Sequence, residues 1–226
     1  MPSTPARVIE RYCGTMSEPA PCVFIVDDDQ GVRSSIRILM KSVGLPAVPF
    51  ASAQEFLTAY RPTDPGCLVL DIRMPGMSGL DLQEELNRRG AVIPVIFITG
   101  HGDIPMAVDA MRHGAFDFIQ KPFRDQELID RVQLAFARDR ETRSMLKEHG
   151  KIRHRLAMLT PREREVLDLL IKGQSNKIMA HELGLSQRTV EIHRAHVMEK
   201  MEAKSIAHLV RMIVDVEPVR AAQAAH

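Results

Sequence analysis

Cysteine and aromatic residues are scarce in this 226-residue chain, which has three cysteines, no tryptophan and two tyrosines. Cys13, Cys22 and Cys67 are odd in number and no two of them form a C-x-x-C pair, so we expect neither a disulfide scaffold nor a thiolate metal site. No stretch approaches the length of apolar sequence that a transmembrane helix needs. Residues 1–21 lack the apolar segment of a secretory signal. These absences together predict a cytoplasmic location.

A strong excess of charge of one sign is also missing, because 30 Lys and Arg face 29 Asp and Glu. The balance is uneven along the chain. Residues 1–150 hold 17 basic and 20 acidic side chains, a net of −3, whereas residues 151–226 hold 13 and 9, a net of +4. The near-neutral total therefore does not exclude a nucleic-acid partner, because the basic excess is concentrated in the C-terminal third.

Short apolar runs alternate with amphipathic stretches through the first part of the chain. The apolar runs predict strands at Cys22–Val26, Ala47–Phe50, Cys67–Leu70, Pro94–Ile98 and Phe116–Ile119. The stretches between them predict helices at about 31–43, 52–60, 78–89, 103–113 and 124–139. Five such alternations predict an α/β domain built on a doubly wound, five-stranded parallel sheet.

The C-terminal part predicts a small all-α domain of four helices. Thr160-Pro161-Arg162-Glu163 combines a capping box with Pro at the first helical position, and Ser186 is placed to cap a later helix. Two helices joined at Gly184 have the outline of a helix-turn-helix. We therefore divide the chain into a disordered extension (1–20), the α/β domain (21–139), a charged linker (140–155), the helical domain (156–216) and a tail (217–226).

Polar side chains follow four of the predicted strands. They are Asp27, Asp28 and Asp29 after the first strand, Asp71 after the third, Thr99 after the fourth and Lys121 after the fifth. Because parallel strands end at the same edge of a sheet, we expect these groups to meet there. Clustered carboxylates favour a hard cation such as Mg²⁺, and a carboxylate beside it can act as a nucleophile towards phosphorus. Taken singly, each aspartate is better explained as a helix N-cap.

The segments FIVDDD, LVLDIRMPGMSGLDL, FITGHGD and FDFIQKPF resemble the receiver domain of two-component response regulators. The resemblance implies that Asp71 accepts a phosphoryl group from a sensor histidine kinase. It also implies that Asp27, Asp28, Asp71 and the carbonyl of Arg73 hold Mg²⁺.

The same resemblance implies a phosphoryl-contact and switch set, which consists of Thr99, Gly100, Phe118 and Lys121. It further implies a cis peptide between Lys121 and Pro122. Phosphorylation is expected to draw the Thr99 hydroxyl towards Asp71 and to turn Phe118 inward, although a strand Phe is commonly just a core residue. Arg73 and His101 flank the site, and we expect them to tune the lifetime of the phosphoryl group.

The predicted helix SQRTVEIHRAHVMEKM has two unlike faces. Val190, Val197 and Met201 form an apolar stripe that we expect to be buried. The opposite face presents Arg188, Glu191, Ile192, Ala195 and His196. An apolar Ile192 there is unusual for a solvated helix but normal beside thymine methyl groups. The candidates for DNA phosphate contacts are Lys177, Arg188, Thr189, His193, Arg194 and Lys200, with a merely solvated charged face as the alternative.

Residues 156–214 resemble the LuxR-type helix-turn-helix, and with the receiver in front the chain resembles the FixJ/NarL-type response regulators, nearer the FixJ branch. One departure is Glu191, which stands where related proteins often carry a base-reading Lys; its carboxylate could accept a hydrogen bond from cytosine N4. The resemblance implies a transcription regulator rather than an enzyme, and activation is the expected outcome. It implies partners as well: double-stranded promoter DNA, a second copy of the chain once phosphorylated, and RNA polymerase, with no membrane contact.

Three points stay open in the sequence. The last helix offers Ile206, Leu209, Val210 and Ile213 as a dimer face, with core packing as the competing explanation. The receiver could act without phosphorylation, in a constitutive dimer. An aspartyl-phosphate phosphohydrolase would use similar chemistry, but its usual nucleophile motif has a second Asp two residues on, where this chain has Arg73.

Overall fold

The computed structural model describes residues 20–100 and 104–216. The chain divides after Arg143 into two compact units, which are treated one at a time below. The predicted N-terminal extension, apart from its last residue, and the predicted tail lie outside the described residues, as does His101. Within the described ranges, no helix combines the length and the apolar character needed to cross a membrane.

The first unit is built on five parallel strands, as predicted. They are β1 (Cys22–Val26), β2 (Ala47–Phe50), β3 (Gly66–Asp71), β4 (Val95–Thr99) and β5 (Asp117–Gln120), in the spatial order β2-β1-β3-β4-β5. The register pairs Val26 with Phe50 and Leu70, and it pairs Thr99 with Gln120. The strands therefore end together, and the side chains that follow β1, β3, β4 and β5 share one edge.

Helices cover both faces of this sheet because successive strand residues point to opposite sides. The helices are α1 (Gln30–Ser42), α2 (Ala53–Ala59), α3 (Gly79–Arg88), α4 (Ile104–Arg112) and the start of α5 (Asp125–Ala157). Phe24 packs on one side in a cluster with α2 and α3, whereas Val23 and Ile25 pack on the other side with α1 and α5. Side-chain caps fix the helix starts, for example Asp29 on α1 and Ser78 on α3.

The predicted end of the fifth helix at residue 139 is wrong, because α5 is one helix of 33 residues, and the segment 140–155, predicted as a linker that could be part-helical, is helical throughout. The segment contains no proline, and its charges form ion pairs three or four residues apart, such as Arg138–Glu141 at 3.2 Å and Lys151–Glu148 at 3.0 Å. Low apolar content indicated a linker, but this charge spacing supports a solvated helix. The first turns of α5 pack on the sheet, and Ile152 and Leu156 belong to the core of the second unit.

An ion pair with a buried carboxylate fastens α5 to the first residue of β3 and to the loop before it. Asp139 accepts the Gly66 amide at 2.9 Å and the Arg143 guanidinium at 2.8 Å. Arg143 also donates to the carbonyls of Pro62 at 2.8 Å and Asp64 at 2.6 Å. The loop thus has its backbone groups satisfied by side chains of the helix.

Replacing Gly66 by Ala is expected to destabilise the first unit by about 3 kcal/mol or more. Gly66 has φ of +147°, and a Cβ there would lie 1.9 Å from the carbonyl oxygen of Cys22 in β1. Gly150→Ala is the control with the opposite sign, because Gly150 lies within α5 with open space around it and the change is expected to stabilise the helix by about 1 kcal/mol. Thermal unfolding measures both; a Gly66→Ala protein as stable as the wild type contradicts the close strand contact.

The described part of the second unit, up to residue 216, contains four further helices: α6 (Pro161–Ile171), α7 (Asn176–Leu183), α8 (Gln187–Lys200) and α9 (Ile206–Val216). The capping box at Thr160 and Glu163 and the Ser186 cap are present as predicted. Gly184 ends α7 with φ of +66°, a conformation that favours glycine and turns the chain between α7 and α8.

The predicted dimer face on α9 is wrong for two of its four residues. Leu209 and Ile213 are buried in the core of the second unit, because α9 packs against α6. Ile206 is exposed and Val210 is half-buried. Both lie on one side of α9, and the exposed Val214 lies on the same side one turn further on. Core packing therefore explains the two most buried residues.

Candidate functional site

Three charged side chains from three strand ends meet at the edge of the sheet. The Lys121 ammonium lies 2.8 Å from Asp71 Oδ1 and 3.0 Å from Asp27 Oδ2. These residues follow β5, β3 and β1, so their positions along the chain are 50 and 94 residues apart while their charged groups are in contact. One lysine bridges two carboxylates at the place that the strand pattern predicted.

Backbone groups hold the other carboxylate oxygens. Asp27 Oδ1 accepts the amide of Asp29 at 2.8 Å, and Asp71 Oδ2 accepts the amide of Arg73 at 2.8 Å. Arg33, on the first turn of α1, donates from Nη1 to the Asp27 carbonyl at 2.5 Å. Arg33 is not among the residues predicted for this site, since an arginine in an amphipathic helix carries no signal of such a contact.

The charges at this edge do not balance. The two carboxylates share one ammonium, and Asp27 is only 2% exposed. Burial raises the pKa of Asp71, and repulsion from Asp27 adds to it, although hydrogen bonding to Lys121 opposes the shift. Burial alone would lower the pKa of Lys121, but the hydrogen bonds and charges of Asp71 and Asp27 raise it, so the lysine stays charged. The cluster therefore keeps a net negative charge and favours a further cation.

The donor types at this edge are those that a hard cation such as Mg²⁺ prefers, although the side chains are not gathered into a preformed metal site in the described structure. Carboxylate oxygens and a backbone carbonyl are the ligands that this ion prefers, and Asp28 adds an exposed carboxylate beside Asp27. Across residues 20–100 and 104–216, no three His, Cys, Asp or Glu side chains converge in a metal-binding arrangement. Asp29 is accounted for as a helix cap, because its carboxylate accepts the amides of Gly31 at 2.6 Å and Val32 at 3.1 Å, and these bonds lower its pKa.

Of the remaining residues predicted for this site, Thr99 and Phe118 lie on β4 and β5, Gly100 follows β4, and Arg73 follows β3. Thr99 is buried at the end of β4, its carbonyl accepts the Lys121 amide at 2.7 Å, and the Lys121-Pro122 peptide is cis as expected. Gly100 is half-buried. Phe118 is 37% exposed on β5, directed away from the core. Arg73 is exposed.

The helix α8 has the two faces that its sequence predicts. Val190, Val197 and Met201 are fully buried in the core of the second unit. The exposed face carries Arg188, Glu191, Ile192, Ala195 and His196. Ile192 is 49% exposed, and Ile178 on α7 is a second exposed isoleucine that the sequence analysis missed. Exposed apolar side chains on a polar face of a helix-turn-helix are suited to contact thymine methyl groups.

The side chains predicted to contact phosphate differ in their exposure and in the hydrogen bonds that they already form. Lys177 and Arg188 are exposed. Thr189 Oγ1 lies 2.8 Å from Ser186 Oγ, and Arg194 donates to the side chain of Asn176. Lys200 donates to the buried carboxylate of Glu163 at 2.7 Å. His193 is half-buried, and its Nδ1 is enclosed with no hydrogen-bond partner within the described chain.

Two protein families match this chain in succession. Residues 23–133 match the family described as the response regulator receiver domain. Residues 157–213 match the family described as bacterial regulatory proteins, luxR family. These matches cover the sheet-edge cluster and the helix-turn-helix, respectively.

Two relatives resemble this chain in sequence over most of its length and over most of their own. Nodulation protein W of Bradyrhizobium diazoefficiens is 52% identical over 190 residues, which is 84% of each chain. The transcriptional regulatory protein FixJ of Azorhizobium caulinodans is 48% identical over 197 residues, 87% of this chain and 93% of the relative. Among solved structures, the response regulator StyR matches with a TM-score of 0.77 at 44% identity over 85% of this chain and 98% of its own. Full-length FixJ from B. japonicum matches with a TM-score of 0.55 at 39% identity over 88% and 98%, respectively.

Proposed function

This chain belongs to the FixJ-type response regulators, and we propose that phosphorylation of Asp71 switches its binding to DNA. A receiver domain joined to a LuxR-type DNA-binding domain makes it a DNA-binding transcriptional regulator and not an enzyme. The observation that carries the proposal is the Lys121 ammonium within 3.0 Å of both Asp27 and Asp71. That arrangement supplies a nucleophile, a cation and a negatively charged edge at one point of the sheet.

The chemistry proposed for Asp71 is phosphoryl transfer from a histidine kinase. A carboxylate oxygen of Asp71 forms a bond to phosphorus while the P–N bond of the kinase phosphohistidine breaks, and the bonding pair leaves with the imidazole nitrogen, which takes up a proton. Lys121 then has its ammonium beside the Asp71 carboxylate, where it neutralises charge on the phosphoryl oxygens. Burial is the main cause of the raised pKa of Asp71, and the Lys121 ammonium opposes that rise.

Mg²⁺, when bound, would supply the positive charge that lets a phosphoryl group approach three aspartates. We propose Asp27, Asp28, Asp71 and the Arg73 carbonyl as its ligands. One oxygen of Asp27 accepts the Asp29 amide and one oxygen of Asp71 accepts the Arg73 amide. These backbone bonds fix the direction of the carboxylates without using their full acceptor capacity.

The switch that follows would be a repacking between β4 and β5. The Thr99 hydroxyl would move towards the phosphoryl group on Asp71, and Phe118 would turn inward into the space that the threonine leaves. The exposure of Phe118 supports this role, because a side chain that is already buried could not change in this way. The changed surface, α4 and β5, also exposes Val108 and Met111, and we propose that it pairs with the same surface of a second phosphorylated copy.

A phosphorylated homodimer would bring two second units to adjacent half-sites of double-stranded promoter DNA. The exposed face of α8 would read base edges, with Glu191 accepting a hydrogen bond from cytosine N4 and Ile192 beside a thymine methyl group. Ala195 would lie on that same face, and Lys177, Arg188, Thr189, His193 and Arg194 would contact phosphates. We propose further that the protein works in the cytoplasm, with a sensor histidine kinase upstream and RNA polymerase downstream.

The dependence of labelling on Mg²⁺ tests the receiver chemistry. The wild-type chain is incubated with a small phosphodonor, with Mg²⁺ or with a chelator, and incorporated phosphate is followed by intact mass. We expect labelling with Mg²⁺ and at least about a 100-fold slower reaction in the chelator, because two carboxylates and one lysine alone repel the incoming phosphoryl group. Peptide mass mapping is expected to assign the label to the segment that contains Asp71. Equal rates in both conditions contradict the proposed metal site.

A further inference from the structure

Lys200, the last residue of α8, is exposed along part of its side chain, but its ammonium is turned towards a buried carboxylate. Its ammonium lies 2.7 Å from Glu163 Oε2 and 3.5 Å from the carbonyl of Met158. The side chain of Glu163 is only 4% exposed. The two partners are 37 residues apart in the chain, so this contact joins the end of α8 to the beginning of α6.

Glu163 is itself built into the start of α6. Its Oε2 also accepts the amide of Thr160 at 2.8 Å, and its own amide donates to Thr160 Oγ1 at 3.3 Å, which completes the capping box. Burial opposes ionisation, but the hydrogen bonds from Lys200 and Thr160 lower the pKa of Glu163 to about 2. The carboxylate is therefore charged, and Lys200 is the cation that lies against it.

A second side chain of α8 faces the same carboxylate. His196 Nδ1 lies 3.7 Å from Glu163 Oε1. Residues 196 and 200 are one turn apart and lie on the same side of the helix. Glu163 thus contacts the C-terminal half of α8 at two points, while Arg188, Glu191 and Ile192 stay exposed on the other half.

We propose that Lys200 is a positioning residue that fixes the angle of α8 through Glu163, and that it does not bind a DNA phosphate. This inference rests on the proposed function of α8 as the helix that reads DNA. If Lys200 turned to a phosphate at the surface, it would leave the buried Glu163 carboxylate without its cation, which is strongly unfavourable. It corrects the expectation, drawn from the residue type alone, that Lys200 contacts phosphate.

Lys177 provides the matched comparison. It is a lysine of the same domain, exposed at the second position of α7, and it forms no ion pair within the described residues. A lysine that binds a phosphate releases condensed counterions, so its removal lowers the slope of log affinity against log salt concentration by about 0.9. A lysine that only positions the helix leaves that slope unchanged.

The test compares Lys200→Met and Lys177→Met in the full chain. The probes are a double-stranded oligonucleotide selected from a random library by the wild-type chain and a scrambled oligonucleotide of the same composition, titrated by fluorescence anisotropy at several salt concentrations. For Lys177→Met we expect a slope reduced by about 0.9 and weaker binding of both probes. For Lys200→Met we expect an unchanged slope, at least about 10-fold weaker binding of the selected probe, and binding of the scrambled probe within about twofold of the wild type.

Each other outcome overturns part of the account. A slope lowered by about 0.9 in Lys200→Met, with equal loss on both probes, makes Lys200 a phosphate contact and overturns this inference alone. Reduced thermal stability with unchanged DNA affinity makes the ion pair merely structural and also overturns it. If Lys177→Met and Arg188→Met both bind like the wild type, the proposed DNA face is wrong and the inference falls with it.

A second variant allows the test to be made if Lys200→Met does not fold. Lys200→Met leaves a buried charge alone, whereas the double variant Glu163→Gln with Lys200→Met removes the charge together with its partner. Helix content measured by circular dichroism shows which variants are folded. The folded double variant is expected to keep the wild-type salt slope and to lose affinity for the selected probe; a slope lowered by about 0.9 in this variant again overturns the inference.

Discussion

In the presence of Mg²⁺ and a small phosphodonor, labelling of the Asp71→Asn variant is expected to be at least about 100-fold lower than that of the wild type. The amide that replaces the carboxylate is neutral and a poor nucleophile, while Asp27 remains to pair with Lys121. The fold of the first unit should be retained, because the side chain of Asp71 lies at the sheet edge and the strands pack through other residues. Intact mass and incorporated phosphate measure the effect.

Asp29→Asn is the matched control for this change. Asp29 is two residues from Asp27, and its carboxylate caps α1 through the amides of Gly31 and Val32. Asparagine also serves as an N-cap, so labelling is expected to stay within about threefold of the wild type. Labelling of Asp71→Asn at the wild-type rate would move the phosphoacceptor to another residue, and equal loss in Asp29→Asn would show that the acidic loop and not Asp71 itself is sensitive.

The Val190→Asp variant is expected to unfold the second unit and to abolish DNA binding. Val190 is fully buried at the start of α8, and a carboxylate at that position has no cation to pair with in the core. The free-energy cost of burying an unpaired charge is about 4 kcal/mol or more, which exceeds the stability that a small domain can lose. Loss of helical circular dichroism and of DNA binding measure the effect. Phosphoryl labelling is expected to persist, because Asp27, Asp71 and Lys121 all belong to the first unit.

Ile192→Asp separates folding from DNA contact. Ile192 is two residues further along α8 and is exposed, so the same new carboxylate meets water there and the helix content should equal that of the wild type. Binding to the selected oligonucleotide is expected to weaken at least about 10-fold, because an apolar contact is replaced by a charge that repels DNA. Wild-type affinity in this variant contradicts the assignment of the exposed face of α8 to DNA.

The sheet and its edge could be predicted because local signals and global topology agree. The apolar runs alternate with helical segments, so the strands are predicted to be parallel. Because parallel strands end at the same edge, Asp27, Asp71 and Lys121 lie together there, and this does not depend on how the side chains of the core pack. The buried stripe of α8 could be predicted for a similar reason, since Val190 and Val197 follow helical periodicity.

The features that could not be predicted from the sequence depend on contacts between residues that are distant in the chain. The continuous α5 was missed because charged residues spaced for ion pairs give no apolar period, and the Asp139 contact to Gly66 spans 73 residues. Glu163 was recognised as a capping residue, but nothing in the sequence pairs it with Lys200. On α9, one apolar stripe did not reveal that Leu209 and Ile213 are used by the core.

The central claim, that phosphorylation of Asp71 controls DNA binding, is tested most directly by one comparison of affinities. The wild-type chain and Asp71→Asn are each titrated with the selected oligonucleotide, before and after incubation with phosphodonor and Mg²⁺, at one fixed salt concentration. We expect the treatment to tighten binding by the wild type at least about 10-fold, as a coupling of this kind typically does, and to leave Asp71→Asn unchanged. A wild-type chain that is fully labelled and yet binds DNA with unchanged affinity would contradict the account and favour a regulator that dimerises without phosphorylation.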